Sequence, residues 1–203
     1  MKTAPRHVLL TGFDPFGGER ENPSQQIARA LHGKRIAGHR IVGATLPTEF
    51  DRSLRVLDDL LRKYKPELVI AIGQAGGRDA ISLERVAINL IDARIPDNAG
   101  AQPVDQPVIR HAPDAYFSTL PIKAMLQALT GAGIPAALSQ TAGTFVCNQV
   151  FFGLAHRLAR RKRRVPGGFV HVPYLPPQAA RHGNAPSMKL ATMIAAIRLC
   201  IET

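Results

Sequence analysis

The sequence predicts an α/β protein, a three-layer α/β/α sandwich built on a mostly parallel, mixed and twisted sheet. Three observations carry this reading. Short apolar runs of strand length, at 7–10, 68–72 and 169–172, alternate along the chain with longer segments whose apolar residues recur at helical spacing. The run Leu68-Val-Ile-Ala-Ile72 is apolar without interruption, as a strand covered on both faces must be. Glycine-rich or proline-rich punctuation follows the strand candidates, which places loops at their carboxyl ends, where such folds bind ligands. With 203 residues the chain suffices for one domain with a substantial core, so a single catalytic domain over 1–203 is expected.

Taken in order, residues 7–10 form a buried strand that runs into Thr11-Gly-Phe-Asp-Pro-Phe-Gly-Gly18. That loop has no Lys-Ser/Thr pair for a phosphate loop, and its glycines lack the spacing of a dinucleotide fingerprint. Its large apolar side chains, Phe13 and Phe16, are either caps on the core or walls of a pocket. Asn22 caps a helix with Pro23 in its first turn, and His39–Leu46 is a second strand. Thr48 is read as the cap of an amphipathic helix carrying Leu54, Leu57, Leu60 and Leu61, which Pro66 ends. The strand at 68–72 then delivers a second loop, Gly73-Gln-Ala-Gly-Gly77.

Residues 81–90 alternate like a strand with one slip, and Glu84 stands there in a largely apolar stretch. Taken alone, it reads as a surface residue on a half-exposed strand. The proline-rich stretch 91–113 is long for a loop in a compact domain, and such loops are more often functional than idle. Residues 115–120 read as another strand, and Pro121 opens a helix through Leu129, stopped by Gly131 and Gly133. The strand at 134–138 precedes Ser139-Gln-Thr-Ala-Gly-Thr-Phe-Val-Cys-Asn148, after which Val150, Phe151, Leu154 and Leu158 recur at helical spacing. The strand at 169–172 leads into the loop Pro173-Tyr-Leu-Pro-Pro177, and Ser187 caps a last helix whose Leu190, Met193, Ile194, Ile197 and Ile201 face inward. Cys200, beside that stripe, reads as an inert core or boundary thiol.

Composition excludes several classes. Hydrophobic residues at 45% and charged residues at 20% match ordinary soluble domains and exclude disorder. Two cysteines are too few for a disulfide framework or a paired-thiolate zinc site, and a reducing cytoplasm is expected. The N-terminus has no signal-peptide core or membrane span. The seven histidines are scattered without ligand spacing, so neither metal nor cofactor is expected. A formal charge of +11 raises the question of nucleic acid. Its densest part, Arg157, Arg160, Arg161, Lys162, Arg163 and Arg164, lies at a helix end, where cations are stabilising in their own right. It reads as a solvated helix terminus, with an anionic partner as the alternative.

The chemistry converges on Cys147. A cysteine at a helix N-terminus meets unpaired N–H groups and the positive end of the dipole, which favour a thiolate. Nucleophilic attack also needs a base and a group to orient it. His171 is one helix and one turn further on, which would return the chain to an adjacent strand and the same rim. Read blind, a histidine in an apolar strand is either that base or a satisfied core residue. Glu84 is the carboxylate available to orient it, completing a Cys/His/carboxylate arrangement.

Six blocks in order, Leu10-Thr-Gly-Phe-Asp-Pro-Phe-Gly-Gly18 with Asn22-Pro-Ser24, Gly73-Gln-Ala-Gly-Gly77, Glu84-Arg-Val-Ala-Ile-Asn89, Ala93-Arg-Ile-Pro-Asp-Asn98, Ala142-Gly-Thr-Phe-Val-Cys-Asn148 and Phe169-Val-His-Val-Pro-Tyr174, resemble the pyroglutamyl peptidase I family of cysteine exopeptidases. The resemblance implies Cys147 as nucleophile, His171 as acid and base and Glu84 as orienting carboxylate, with Arg94 helping the oxyanion. It implies an apolar lactam pocket walled by Phe13, Phe16, Phe145 and Val146, with polar contacts from backbone around Thr48 and Gln74. The substrates it implies are peptides with an N-terminal pyroglutamate, cleaved through a thioester, and a cytoplasmic homo-oligomer, by resemblance a homotetramer, is expected. Two rivals are a nucleoside-phosphorylase-like enzyme, which would need a phosphate site, and a nucleic-acid-binding module using the basic helix end. The N-terminal extension to His7, the basic helix end and the segment 181–186 lie outside the six blocks and leave oligomeric state and peptide preference open.

Overall fold

Alternation along the central strands assigns each side chain to one of two layers. A computed structural model describes residues 6–203; the expectation of no signal-peptide core concerns in part residues 1–5, which lie outside the described residues. The strands are β1 (His7–Phe13), β2 (Arg35–Ile36), β3 (His39–Leu46), β4 (Leu68–Gln74), β5 (Ile81–Glu84), β6 (Val86–Ile88), β7 (Ala115–Phe117), β8 (Ala136–Ser139) and β9 (Gly167–Val172). The helices are α1 (Pro23–Leu31), α2 (Arg52–Tyr64), α3 (Ile122–Gly131), α4 (Val146–Ala159), α5 (Pro176–Arg181) and α6 (Leu190–Glu202). Seven strands form the main sheet in the order β2-β3-β1-β4-β9-β5-β8, and β6 pairs with β7 in a separate ribbon. Within the main sheet pairing is parallel except at β2–β3 and β5–β9, and the β6–β7 ribbon is antiparallel. The sandwich is therefore a mostly parallel mixed α/β sheet between helical layers, as the alternating pattern predicts.

On one face Leu10, Ile70, Ile72, Val170 and Val172 pack with residues of α1, α3 and α6. On the other, Leu9, Val69, Ala71 and Phe169 pack with α2 and α4. Helix α4 carries Phe151 and Phe152, both wholly buried, because the sheet covers one side of it and the β6–β7 ribbon another. Truncating a buried phenylalanine of this kind typically costs about 3–5 kcal/mol. Asn148 fastens ribbon to helix: its Oδ1 accepts the Ile88 N–H at 3.0 Å while Nδ2 donates to the carbonyls of Ile88 and Leu90, both at 2.9 Å.

Several local expectations need correction. Thr48 does not cap α2. The capping position is Asp51, and Thr48 is instead tied to Asp14, its N–H donating to Oδ1 at 2.7 Å and its hydroxyl to the Asp14 carbonyl at 3.1 Å. Lys189 rather than Ser187 precedes α6, and Ser187 bridges to Tyr174. The prolines after β9 open the short helix α5; proline at the first helical positions gives up an N–H that has no intrahelical partner anyway. Of residues 115–120 only Ala115–Phe117 is strand, and it joins the ribbon rather than the main sheet. Gly73 and Gln74 belong to β4, not to the loop after it. The basic helix end is partly neutralised within the chain: Arg157 pairs with Asp58, Arg163 with Glu67 at 2.9 Å, and Arg161 donates to the Leu61 carbonyl at 3.4 Å. No helix among the described residues is long and apolar enough to cross a membrane.

Candidate active site

Cys147 is the second residue of α4. The strand β8, the polar turn and the apolar helical run put it there, and Phe145 at the capping position makes no side-chain cap. The first-turn N–H groups are thus the donors that every helix start leaves without intrahelical partners. The thiol rests on the sheet itself. A Cβ built on Gly73 would stand 2.8 Å from Cys147 Sγ, so sulfur occupies the space a side chain at 73 would fill. Across the β4–β9 pairing Gly73 stands opposite His171. That register brings sulfur and imidazole onto neighbouring positions of one sheet face.

His171 follows Phe169 on the α4 side of β9, with ring centroids 4.8 Å apart. It does not stand on a strand next to the one preceding Cys147, as the chain order predicts: β5 inserts antiparallel between β9 and β8. This insertion supplies the carboxylate. Glu84, at the end of β5, runs back along β9 and is wholly buried rather than on a half-exposed strand. His171 Nδ1 and Glu84 Oε1 are 2.7 Å apart. An ionised carboxylate only accepts, so Nδ1 carries the proton and the lone pair is on Nε2. The same Oε1 accepts Arg78 Nη1 at 2.6 Å, and Arg78 Nη2 donates to the Thr141 carbonyl at 3.0 Å.

Electrostatics follow from burial. Burial would raise the Glu84 pKa, but the hydrogen bonds of His171, Ser139 and Arg78 outweigh it and hold the carboxyl below its ordinary value. Burial depresses His171 below an ordinary imidazole, and the Glu84 bond and charge offset this only in part. Burial first, then the Glu84 charge, push the Cys147 thiol up to about 12, with Arg78 opposing. The helix start favours a thiolate, whereas burial and the Glu84 charge both favour the neutral thiol.

A hollow of about 300 Å³ opens at the turn that precedes Cys147, lined by Phe16, Ile95, Thr144 and Phe145 together with Arg94. Phe16 and Phe145 face each other with centroids 6.1 Å apart, and Phe50 meets Phe145 edge-on at 5.3 Å. Phe13 and Val146 do not line the hollow and are buried in the core on the α4 side. Thr48 is buried under the loop, with its N–H on Asp14 and its carbonyl accepting the Asn98 N–H at 3.0 Å. Gln74 ends β4, its side-chain oxygen accepting Gln178 Nε2 at 2.9 Å. Arg94 is exposed on a loop tied to the cysteine turn, where Thr144 donates to the Asp92 carbonyl at 2.8 Å. Sequence reasoning missed Arg78, Phe50 and Ile95. Ile95 stands inside the Ala93–Asn98 block and Arg78 just after Gly77, but neither residue type announces a role. Among the described residues no three His, Cys, Asp or Glu side chains gather as metal ligands.

Comparison with known proteins is uniform. The family model described as pyroglutamyl peptidase matches residues 6–203. A pyrrolidone-carboxylate peptidase of Bacillus cytotoxicus is 56% identical over 202 residues, covering 100% of this chain and 92% of the relative. Pyrrolidone-carboxylate peptidase 1 of Ralstonia nicotianae is 57% identical over 196 residues, covering 97% of this chain and 91% of the relative. The crystal structure of pyroglutamyl peptidase I from Bacillus amyloliquefaciens superposes with a TM-score of 0.94 at 46% identity, over 97% of this chain and 93% of that one.

Proposed function

The chain belongs to the pyroglutamyl peptidase family, and from that premise we infer that it is a cysteine exopeptidase that removes an N-terminal pyroglutamate from peptides. Neither a nucleoside-phosphorylase-like activity nor nucleic-acid binding is favoured by this membership. The observation that carries the assignment of roles is the seating of Cys147 Sγ on Gly73, the strand partner of His171, whose Nδ1 is 2.7 Å from Glu84 Oε1.

In the proposed cycle Cys147 gives its proton to His171 Nε2 as sulfur attacks the exocyclic carbonyl carbon of pyroglutamate. Because burial disfavours both the thiolate and the imidazolium, proton transfer and attack go together, and Glu84 stabilises the imidazolium that forms. The oxyanion is received by N–H groups at the start of α4, with Arg94 in support; such donors typically contribute on the order of 3 kcal/mol. His171 then protonates the departing amine as the C–N bond breaks, leaving a thioester. Water, deprotonated by His171, attacks it; the C–S bond breaks, and sulfur recovers the proton. The lactam ring is assigned to the hollow between Phe16 and Phe145, with Phe13 and Val146 as the apolar residues it would reach on binding and polar contacts from the backbone near Thr48 and Gln74. A cytoplasmic homotetramer acting on free pyroglutamyl peptides completes the proposal.

A fluorogenic pyroglutamyl amide, assayed with and without iodoacetamide beside a prolyl amide, tests this. Turnover of the pyroglutamyl compound alone, abolished by alkylation and by Cys147→Ser, is expected. Equal cleavage of the prolyl amide removes the lactam assignment, and substantial turnover by Cys147→Ser removes the nucleophile. Light scattering tests the assembly.

A further inference from the structure

A second, larger hollow of about 600 Å³ lies beside the first and shares Phe16, Arg94 and Ile95 with it. Its far wall is Tyr174 and His182, whose rings stack in parallel with centroids 4.8 Å apart and planes inclined by 5°. His182 belongs to the segment 181–186, to which the catalytic cycle assigns no role. We propose that this hollow is the subsite for the residue following pyroglutamate, and that the Tyr174–His182 stack makes it select a flat-ringed side chain, phenyl, phenol or imidazole. The inference rests on the activity proposed above.

Position carries the first part. The departing amine must lie beside His171, which protonates it, while the lactam occupies the hollow on the Phe145 side. From His171 strand β9 runs on through Val172 and Pro173 to Tyr174, and the hollow is bordered by Gln74, next to the Gly73 on which sulfur rests, so that the Gln74 backbone stands at the junction of the lactam site with this hollow. The chain leaving the scissile bond on the His171 side therefore meets this wall first. The volume falls within the range of small-ligand sites.

Construction carries the second. His182 Nε2 lies 2.5 Å from Glu19 Oε1, and Glu19 Oε2 accepts Arg181 Nη2 at 2.7 Å and Gln178 Nε2 at 3.3 Å. Gln178 Nε2 also reaches Gln74 Oε1 at 2.9 Å. One network thus joins the stacked imidazole to the end of β4. Tyr174 is held from below: a Cβ on Gly76 would come within 2.1 Å of its Cζ, so only glycine leaves room for the ring. A stack fixed before substrate arrives loses little freedom on binding, and ring-on-ring contact favours another flat ring over an aliphatic chain.

The test compares kcat/KM for pyroglutamyl-phenylalanine amide, pyroglutamyl-histidine amide and pyroglutamyl-alanine amide, with release of the amino-acid amide measured by chromatography. Coumarin leaving groups are avoided because they carry a flat ring of their own. The wild-type protein is expected to favour the ring-bearing compounds over alanine by about three- to tenfold, the scale of an aromatic pair. His182→Ala brings that ratio close to one while the alanine compound keeps its rate to within about twofold. His182→Phe, which restores a ring without the Glu19 contact, retains the preference. An absent ring preference in the wild type, or one that survives His182→Ala, overturns the subsite with the activity assignment intact. If none of the three compounds is cleaved, the activity assignment falls, and the subsite with it.

Discussion

Replacing Gly73 by alanine probes the placement of the nucleophile more directly than any change at the triad. The added Cβ would stand 2.8 Å from Cys147 Sγ, 2.8 Å from Phe169 Cζ and 2.9 Å from Phe169 Cε1. Non-bonded heavy atoms reach their optimum near 3.5–4.0 Å, so each contact is short by roughly 1 Å. Phe169 cannot yield: it is wholly buried and packs against Phe13, Phe151 and His171. The half-buried cysteine is the softer side, and sulfur moves away from the sheet and from His171. Overpacking of this kind costs about 1–3 kcal/mol of stability. A displacement of about 1 Å at the reacting atoms costs on the order of 100-fold in rate, equivalent to about 2.7 kcal/mol of barrier. The measurement pairs kcat/KM on a pyroglutamyl amide with the thermal midpoint. Gly131→Ala serves as control, since nothing lies within 4 Å of its Cβ. Full activity and an unchanged midpoint in Gly73→Ala would refute the claim that the missing side chain at 73 seats the thiol.

Four further outcomes follow from the same geometry. Glu84→Gln removes the charge that raises His171, so the acid limb of kcat/KM moves to lower pH while kcat drops by roughly 100- to 10,000-fold; an acid limb moving upward contradicts that role for the Glu84 charge. Alkylation of Cys147 by iodoacetamide should keep accelerating above pH 9.0, the ordinary thiol value, since the group is pushed up to about 12; a rate plateau reached below pH 7 would show a resting thiolate. Cys200 is also pushed up to about 12 by burial. The unfolded chain releases that proton near 9 and the folded chain does not, so stability falls by about 1.4 kcal/mol per pH unit from there upward; urea unfolding at pH 8 and 10 should show a shallower loss in Cys200→Ala. Phe145→Ala is expected to lower the preference for pyroglutamyl over prolyl amide by roughly 10- to 100-fold, the worth of one buried aromatic side chain, with Cys147 still open to alkylation.

What the sequence made legible was local. The turn before Cys147 reads as a helix start because an apolar strand, small polar residues and a helical stripe follow one another within about two dozen positions. The layer order is legible for the same reason. The role of Glu84 is not legible locally, because its burial depends on β5 entering antiparallel between β9 and β8, a long-range pairing with no local signature. The slip in alternation at Arg85 was visible, and it marks where the chain leaves the main sheet for the ribbon. Helix α5 was hidden by its prolines, which read as a loop until Gln178 is seen accepting the Leu175 N–H at 3.0 Å. Thr48 and Ser187 have the residue type of a cap, but Asp14 and Tyr174 claim them. Capping preference is a weak signal once tertiary partners compete.

The seating of Cys147 on β4 also separates two things that evolution or an engineer would want to change apart. The nucleophile takes its position from the backbone of a strand in the middle of the sheet, whereas the wall formed by Tyr174 and His182 flanks the short helix α5, Tyr174 just before it and His182 just after it. Exchanging the turn that carries His182 alters what borders the exit from the catalytic rim while the reacting sulfur keeps its bearings. Substitutions along β4, by contrast, are felt at the sulfur at once. The molecule is thus conservative in its middle and open to revision at its edge.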